Sequence, residues 1–461
     1  MAITLIRTPI VKIGTSTTDS TVNNVHQPIW FVFKREDFQI SSISNDGGKV
    51  KITIAGTLNE FDGVVDDYLR LVTNQVGYNG TWKILALTTN TVTIDLNYVT
   101  TATGYFNMLG RKNWYIETSI TVTLPDNSIV IAGNLETRQN LNDEVRVNVA
   151  PLLKPYVSMN DNFNYSTFAF TDIYESNQYR FAYKEVYVGS TEVEVKDSTY
   201  HFVNSINQPR YRSGSNMEYF MVGDENNLIK WLTPFIKPTA FKGFPFCMSF
   251  INFTDRFGLV QTETNNGTSI DTLVTSDKPY INRTMLPTMD TSTGGEIDVV
   301  LRVNNEGTFV NVSETITVDY DTECHKKPIY LNWLDTTGGR AFWLFDRVQT
   351  VSVETAVGDT FEPLVNDLAT QQGDIFEVER TAGNRLVLTT YTTIEKAKGI
   401  KSMLYSLNVL MLVNPETWED DGVIWEAVRP LPGSYQLYNT NETHTSLTVT
   451  IELIATNIQG R

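Results

Sequence analysis

The sequence predicts a mainly β protein built from several β-sandwich and barrel domains, with one or two short helices packed on sheets. Three observations predict it. Apolar and polar residues alternate with period two along the whole chain, Thr and Val are heavily used in the alternating runs, and Gly, Asn and Asp turn clusters separate them. Strands alternating with long helical patterns, the mark of a parallel α/β sheet, do not occur. The chain has 461 residues, enough for roughly three or four domains. Hydrophobic residues make up 41% and charged residues 19%, which supplies packed cores and argues against a disordered chain or a charged coiled coil.

Residues 115–124 carry the alternation most clearly. Ile116, Ile120, Val122 and Leu124 share one face, and Glu117, Ser119, Thr121 and Thr123 the other. The same pattern places strands at 50–54, 91–96, 145–149, 192–196, 315–318 and 447–453. Two segments read as helices. Over 392–407, Ala397, Ile400, Leu404 and Leu407 follow +3, +4, +3 spacing behind a capping box of Thr392 and Glu395. Gly399 inside it lowers helix propensity by about 1 kcal/mol. A shorter helix is expected over 226–231, ended by Pro234.

These elements group into four units. Residues 1–48 and 110–215 form a β-sandwich domain, interrupted over 49–109 by a small inserted β-barrel-like domain. The turn-rich entry Ser41-Ser-Ile-Ser-Asn-Asp-Gly-Gly48 marks the start of the insertion. Within it, Tyr78-Asn-Gly-Thr-Trp-Lys-Ile84 reads as a tight turn delivering a strand. A β domain over 216–335 and a C-terminal β domain with one helix over 336–461 complete the order.

Lys plus Arg number 36 against 53 Asp plus Glu, a net charge of −17. An acidic surface repels phosphate backbones, so nucleic acid is not an expected partner. The two cysteines, Cys247 and Cys324, are too few for a disulfide framework or a multi-cysteine zinc site. No apolar run approaches the roughly 18 residues of a membrane helix. The first seven residues lack the basic and apolar regions of an export signal. The expectation is synthesis in the cytoplasm, without membrane insertion.

The four histidines are scattered, and there is no His-Glu-x-x-His motif, phosphate-binding glycine loop or Gly-x-Ser-x-Gly elbow. The chain is therefore expected not to be an enzyme, with no catalytic residues and no cofactor. One cluster suggests a metal. On an extended Asp319-Tyr-Asp-Thr-Glu-Cys-His325, the side chains of Asp319, Asp321, Glu323 and His325 share a face and offer oxygen and nitrogen ligands. The preferred reading of the same residues is a solvated strand face whose charges block wrong pairing. Asp66-Asp67 and Glu419-Asp-Asp-Gly422 read as polar loops or hairpin tips. The aromatics of Phe241-Lys-Gly-Phe-Pro-Phe246, Trp333 and Phe342-Trp-Leu-Phe345 suit a core or a subunit interface better than a sugar-stacking surface. Gly338-Gly339 is predicted to reverse the chain so that Trp343 packs back near Trp333, a packing role.

Three stretches in this order carry a family likeness. The first is Tyr78-Asn-Gly-Thr-Trp-Lys-Ile84, followed by Arg111-Lys-Asn-Trp-Tyr-Ile116. The second is Pro328-Ile-Tyr-Leu-Asn-Trp-Leu-Asp-Thr-Thr-Gly-Gly339 with its aromatic run. The third is 399–412, Trp425-Glu-Ala-Val-Arg-Pro430 and the final strand. The order resembles the tail and baseplate proteins of bacteriophages that infect Bacteroidetes hosts. The most specific part is the aliphatic-x-Trp-Leu-Asn/Asp-x-x-Gly-Gly pattern. The resemblance implies a virion structural protein of distal-tail or tail-adaptor type. Such a protein would form a cyclic homo-oligomer, a hexamer ahead of a dodecamer, that connects other tail and baseplate proteins. Head-to-tail contacts that close give such rings. Sheet edges and the Pro-containing segments Phe235-Ile-Lys-Pro238 and Arg429-Pro-Leu-Pro-Gly433 are available as clamps. The alternatives are a tail protein that binds a host-surface glycan and, behind it, a tail-associated polysaccharide hydrolase.

Overall fold

A computed structural model describes residues 3–13, 16–19, 22–35, 37–55, 64–107, 115–124, 126–138, 144–157, 161, 163, 165, 169–172, 176–186, 196–205, 221–222, 229–252, 258–264, 269–274, 281–285, 295–305, 308–323, 327–347, 349–357, 360–361, 376–377, 379–433, 435–437 and 441–460. The chain is mainly β, in several sheets and one closed barrel, with a few short helices.

The alternation at 115–124 becomes the strand Tyr115–Thr123, which buries Ile116, Thr118, Ile120 and Val122 and half-exposes the residues between. It lies in a five-stranded sheet ordered Ile129–Thr137, Tyr115–Thr123, Ser176–Val186, Lys196–Val203, Val22–Asn24. A three-stranded sheet of Ile3–Arg7, Trp30–Arg35 and Glu144–Asn148 faces it. Phe31 from one sheet stacks on Phe181 from the other at a centroid distance of 3.7 Å. Ile116, Ile120, Val145 and Val147 join the same core. Each such side chain taken fully out of water contributes about 1.5–3 kcal/mol.

Between Trp30–Arg35 and Tyr115–Thr123 the chain leaves the sandwich and closes a six-stranded antiparallel barrel. Its order is Thr91–Asn97, Lys49–Ile54, Phe38–Asp46, Gly104–Asn107, Tyr68–Thr73 and Gly80–Leu87, which pairs back onto Thr91–Asn97. Val50, Ile52, Leu69, Leu71, Ile84, Val92, Ile94 and Phe106 fill it completely. The first barrel strand is Phe38–Asp46, so the boundary drawn at residue 49 falls inside the first hairpin. Before the strand Gly80–Leu87 the chain makes the 3₁₀ turn Val76–Tyr78. The buried Tyr78 hydroxyl donates to the Thr100 carbonyl at 2.6 Å and accepts from the Val99 and Thr100 amides.

Three further sheets share one large core. A four-stranded sheet runs Ala169–Asp172, Ile281–Met285, Cys247–Asn252, Ile229–Trp231. A second sheet is ordered Thr239–Phe241, Ile316–Asp321, Gly295–Asn305, Gly258–Thr264, Ser269–Val274, with Thr308–Asn311 paired to Gly295–Asn305. A seven-stranded sheet runs Arg340–Phe345, Ile329–Leu334, Val409–Leu412, Trp425–Pro430, His444–Gly460, Glu379–Thr393, Gln349–Val357. Trp231, Phe250, Val299, Trp333, Trp343, Met403 and Val449 belong to that core. The boundary expected between 335 and 336 falls in the turn of the hairpin Ile329–Leu334/Arg340–Phe345, because both expected domains bury their strands together. Cys247 is buried and not in a disulfide. Cys324 and most of 192–196 lie outside the described residues.

Two helix expectations are corrected. Over 392–407 the α-helix spans only Ile394–Ile400 and tightens into the 3₁₀ segment Lys401–Tyr405. Its cap is Thr393, whose hydroxyl accepts from the Lys396 amide, in place of the Thr392 box. With about three residues per turn after Ile400, Met403 reaches the core where Leu404 was expected, and Leu407 is left exposed. At 226–231, the described part is the strand Ile229–Trp231, paired with Cys247–Asn252. Trp231 packs edge-on against Phe250 at 5.7 Å, and this tertiary contact overrides local helix preference.

Gly399 is a close-approach position. A Cβ there would lie 2.2 Å from Phe235 Cδ1. The Phe235 ring cannot yield easily, because it stacks on Trp343 at 5.8 Å and meets Trp333 edge-on at 6.2 Å. Gly399→Ala is therefore expected to lower stability by about 1–3 kcal/mol through overpacking, although propensity alone would raise it by about 1 kcal/mol. Thermal or denaturant unfolding reads the sign directly.

Candidate functional site

The hairpin that carries Trp333, Gly338, Gly339 and Trp343 organises the C-terminal half. Gly338 adopts φ +93°, the left-handed region, and its amide donates to the Asp335 carbonyl at 2.9 Å. The turn sets Leu331 opposite Trp343 and Trp333 opposite Ala341. Both tryptophans lie on one face, with Phe235 against each of them. The Trp333 indole donates to Ser402 Oγ at 2.8 Å, and the Trp343 indole to Thr390 Oγ1 at 3.2 Å. They tie the hairpin to the helical segment and to Glu379–Thr393. At Gly339, a Cβ would lie 2.2 Å from the Leu232 carbonyl oxygen and 2.8 Å from Ser249 Cβ.

On the same hairpin stand two buried polar residues, Asn332 and Arg340. They belong to a cluster centred on Asp161, whose side chain is 1% exposed. One Asp161 carboxylate oxygen accepts from Arg283 Nη1 at 2.7 Å, and the Arg283 side chain is wholly buried. The other oxygen accepts from the Tyr165 hydroxyl at 2.7 Å and from Asn332 Nδ2 at 2.6 Å. Arg340 donates to the Asn332 and Asn408 side-chain oxygens. Burial pushes the Asp161 carboxyl up, but Arg283, Arg340 and the Tyr165 hydrogen bond outweigh it and hold the group far below the usual carboxylate range. Burial likewise pushes Tyr165 well above a normal phenol. Both carboxylate oxygens being engaged, the cluster acts as a polar lock between the 161–165 segment, Ile281–Met285 and the hairpin. The composition gave no warning of Asp161 or Arg283. Asn332 and Arg340 did leave a signal, as polar residues inside otherwise apolar strands.

Three of the four metal candidates, Asp319, Asp321 and Glu323, are described. Asp319 and Asp321 lie on Ile316–Asp321. Asp319 is held by Lys237 at 2.7 Å and by Lys396 at 2.6 Å. Burial raises its pKa, and the two lysines more than reverse this. Asp321 Oδ1 accepts the Glu323 amide at 2.8 Å, which closes a turn. His325 lies outside the described residues, and among those described no three His, Cys, Asp or Glu side chains converge. Asp66 pairs with Lys83 at 2.6 Å beside the barrel. Glu419, Asp420 and Asp421 sit in a helical turn, Trp418–Asp421, where a polar loop was expected. In the Phe235–Pro238 segment, Phe235 enters the aromatic core, Ile236 is exposed, and the Pro238 carbonyl accepts the Asp319 amide at 2.8 Å.

The seven-stranded sheet ends in a three-strand arm. His444–Gly460 pairs with Glu379–Thr393 from Thr393↔His444 to Glu379↔Gly460. At about 3.3 Å per residue, the 17 residues of His444–Gly460 span roughly 55 Å. The outermost strand, Gln349–Val357, pairs on one side only among the described strands. Residues 350–355 are exposed on both faces, with Val351 at 70% and Val353 at 60%. Its sequence Gln-Thr-Val-Ser-Val-Glu-Thr-Ala-Val has no Lys, no Pro and one charge, so neither lysine nor proline guards the edge. A second open edge, Ile129–Thr137, exposes Ile129 and Ile131.

No family model matches the chain, and no curated protein does. Among solved structures, it is similar to a Ca²⁺-stabilized adhesin with which an Antarctic bacterium binds ice. The identity is 11% over 84% of this chain and 95% of that one, with a TM-score of 0.16. It is similar also to the plexin A4 extracellular region, at 8% identity over 92% of this chain and 52% of that one, with a TM-score of 0.17. Likeness at this level carries no functional argument. Among the described residues, no helix is long and apolar enough to cross a membrane.

Two expectations follow from the geometry. Gly339→Val should abolish soluble folded protein, since backbone of 231–233 cannot retreat from the new side chain; soluble yield and melting temperature check this. Asp161→Asn leaves the Arg283 charge buried without its partner and should destabilise by about 3–5 kcal/mol. Because the Asp161 pKa is depressed on folding, its contribution is complete above about pH 4 and fades as the pH falls towards the native value. Acid titration of unfolding free energy should therefore be steeper for the wild type than for the variant.

Proposed function

We propose that this chain is a structural subunit of a phage tail or baseplate, closing into a ring by self-association and connecting other tail proteins. The sequence likeness supplies the class of assembly. The observation that carries the self-association is the exposed edge Gln349–Val357, which pairs on one side only among the described strands. A β-branched edge with a single charge and no second strand beside it among the described residues can add a strand from another chain, and soluble proteins otherwise suppress such edges. Closed head-to-tail addition gives a ring, with six copies preferred over twelve. The reading requires no bond-making chemistry. Asp319, the first residue of the cluster a polysaccharide hydrolase would use, already holds two lysines.

Native mass spectrometry should give a sharp multiple of 52.1 kDa. Val351→Lys with Val353→Lys puts two charges on the edge, at exposed positions where folding stability changes by no more than about 0.5 kcal/mol. The double variant should be monomeric with an unchanged melting temperature. A wild type that stays solitary at every concentration overturns the proposal, and a variant that still assembles removes the arm from it.

A further inference from the structure

One face of the seven-stranded sheet carries a row of alternating charges that runs to its open edge. Arg429 stands opposite Glu452 and is ion-paired with it. Glu452 stands opposite Arg385 on the next strand. Arg385 is ion-paired in turn with Glu354 of Gln349–Val357. Glu354 lies two residues from Ser352, the direct partner of Arg385, and so shares its face. The signs run plus, minus, plus, minus across four neighbouring strands and stop at Glu354, whose side chain is 52% exposed. Opposite charges facing each other stabilise a strand pair and like charges destabilise it, so the strand that continues this row presents a cation to Glu354.

We infer that the Gln349–Val357 edge of one copy adds to the Glu144–Asn148 edge of the next, antiparallel, with Arg146 opposite Glu354. The inference rests on the assembly reading and names the surface that completes it. A ring needs two different surfaces, because two arms paired with each other close at two copies. Glu144–Asn148 is the outer strand of its sheet and pairs with Trp30–Arg35 alone among the described strands. Val145 and Val147 point into the sandwich core, while Arg146 faces outward with its side chain 50% exposed. The other described edges do not match. Ile129–Thr137 has no basic residue. A bulge between Leu5 and Arg7 breaks the ladder of Ile3–Arg7. Lys230 sits on a three-residue strand already bridged through Ile229 to Ser313, and Arg340 is buried.

The register then follows from the pleat. With Arg146 opposite Glu354, Val147 meets Val353, Val145 meets Thr355 and Asn148 meets Ser352, so both faces match in kind. Val353, exposed on the free arm, comes to lie along the rim of the next copy's sandwich core. Arg146 already holds Glu144, and Glu354 holds Arg385. A guanidinium has five donors and a carboxylate two oxygens, so the new contact lengthens the row without dissolving either pair.

Charge reversal in separate copies tests the pairing. Glu354→Arg sets two cations opposite each other at every contact and Arg146→Glu two anions, so each variant alone should assemble at least about tenfold more weakly than the wild type. Mixed in equal amounts, the two variants restore opposite charges at each contact when they alternate, and native mass spectrometry should show rings holding equal numbers of both. A wild type that never assembles sinks the assembly reading and this inference together. A wild-type ring whose single variants assemble normally, or whose mixed variants stay apart, overturns this inference and leaves the assembly reading standing. Should the charge variants fail to fold, Glu354→Cys combined with Arg146→Cys decides. Mild oxidation of that assembled variant should give a ladder of disulfide-linked chains that neither single cysteine variant gives, and its absence overturns the pairing.

Discussion

Burying a carboxylate and a guanidinium together is a demanding constraint, and the C-terminal half of this protein is arranged around it. Asp161 and Arg283 give up water almost entirely. Such a pair is tolerable only when the remaining lone pairs and protons find partners. Tyr165 and Asn332 provide them for the carboxylate, and Asn332 in turn accepts from Arg340. The cluster therefore fixes where the 161–165 segment sits against Ile281–Met285 and the hairpin, since any shift of register would strand a charge. Hydrophobic contacts alone, being non-directional, would permit several packings of three sheets. The polar lock picks one.

Around that lock the aromatic residues supply the bulk of the burial. Phe235, Trp333 and Trp343 form a packed group in which each indole N–H also has an acceptor. Gly339 and Gly399 are small because this group and its surroundings leave no space for a side chain. In the helical segment, that closeness explains a glycine which intrinsic preference would discard.

The fold class was legible because period two is a local signal: a strand with one buried face writes it directly into sequence, as at 115–124. The helix at Ile394–Ile400 was legible for the same reason, but its end was not. The change to 3₁₀ geometry at Lys401 depends on where Met403 finds space, which is a tertiary fact. The strand Ile229–Trp231 was misread because three residues carry too little pattern, and its identity comes from pairing with Cys247–Asn252. The same limit hid Asp161 and Arg283. Their meaning lies in partners more than 100 residues away in the case of Arg283 and Asp161, and spacing along a chain does not encode such meetings. In the acidic run at 319–325, the same limit hid the lysines: Asp319 is neutralised by Lys237 and Lys396, which no local spacing places beside it.

The barrel differs from every other sheet here in having no first or last strand. Its six members hydrogen-bond in a closed circuit, with a private core that shares no residue with the sandwich it interrupts. Closure leaves no template for further growth, so this unit neither recruits nor propagates strands. It is inserted in the chain between the strands Trp30–Arg35 and Tyr115–Thr123, and its own first and last strands are Phe38–Asp46 and Gly104–Asn107. A module attached in that fashion is free to diverge, or to be traded for another of similar footprint, without disturbing the register of its host.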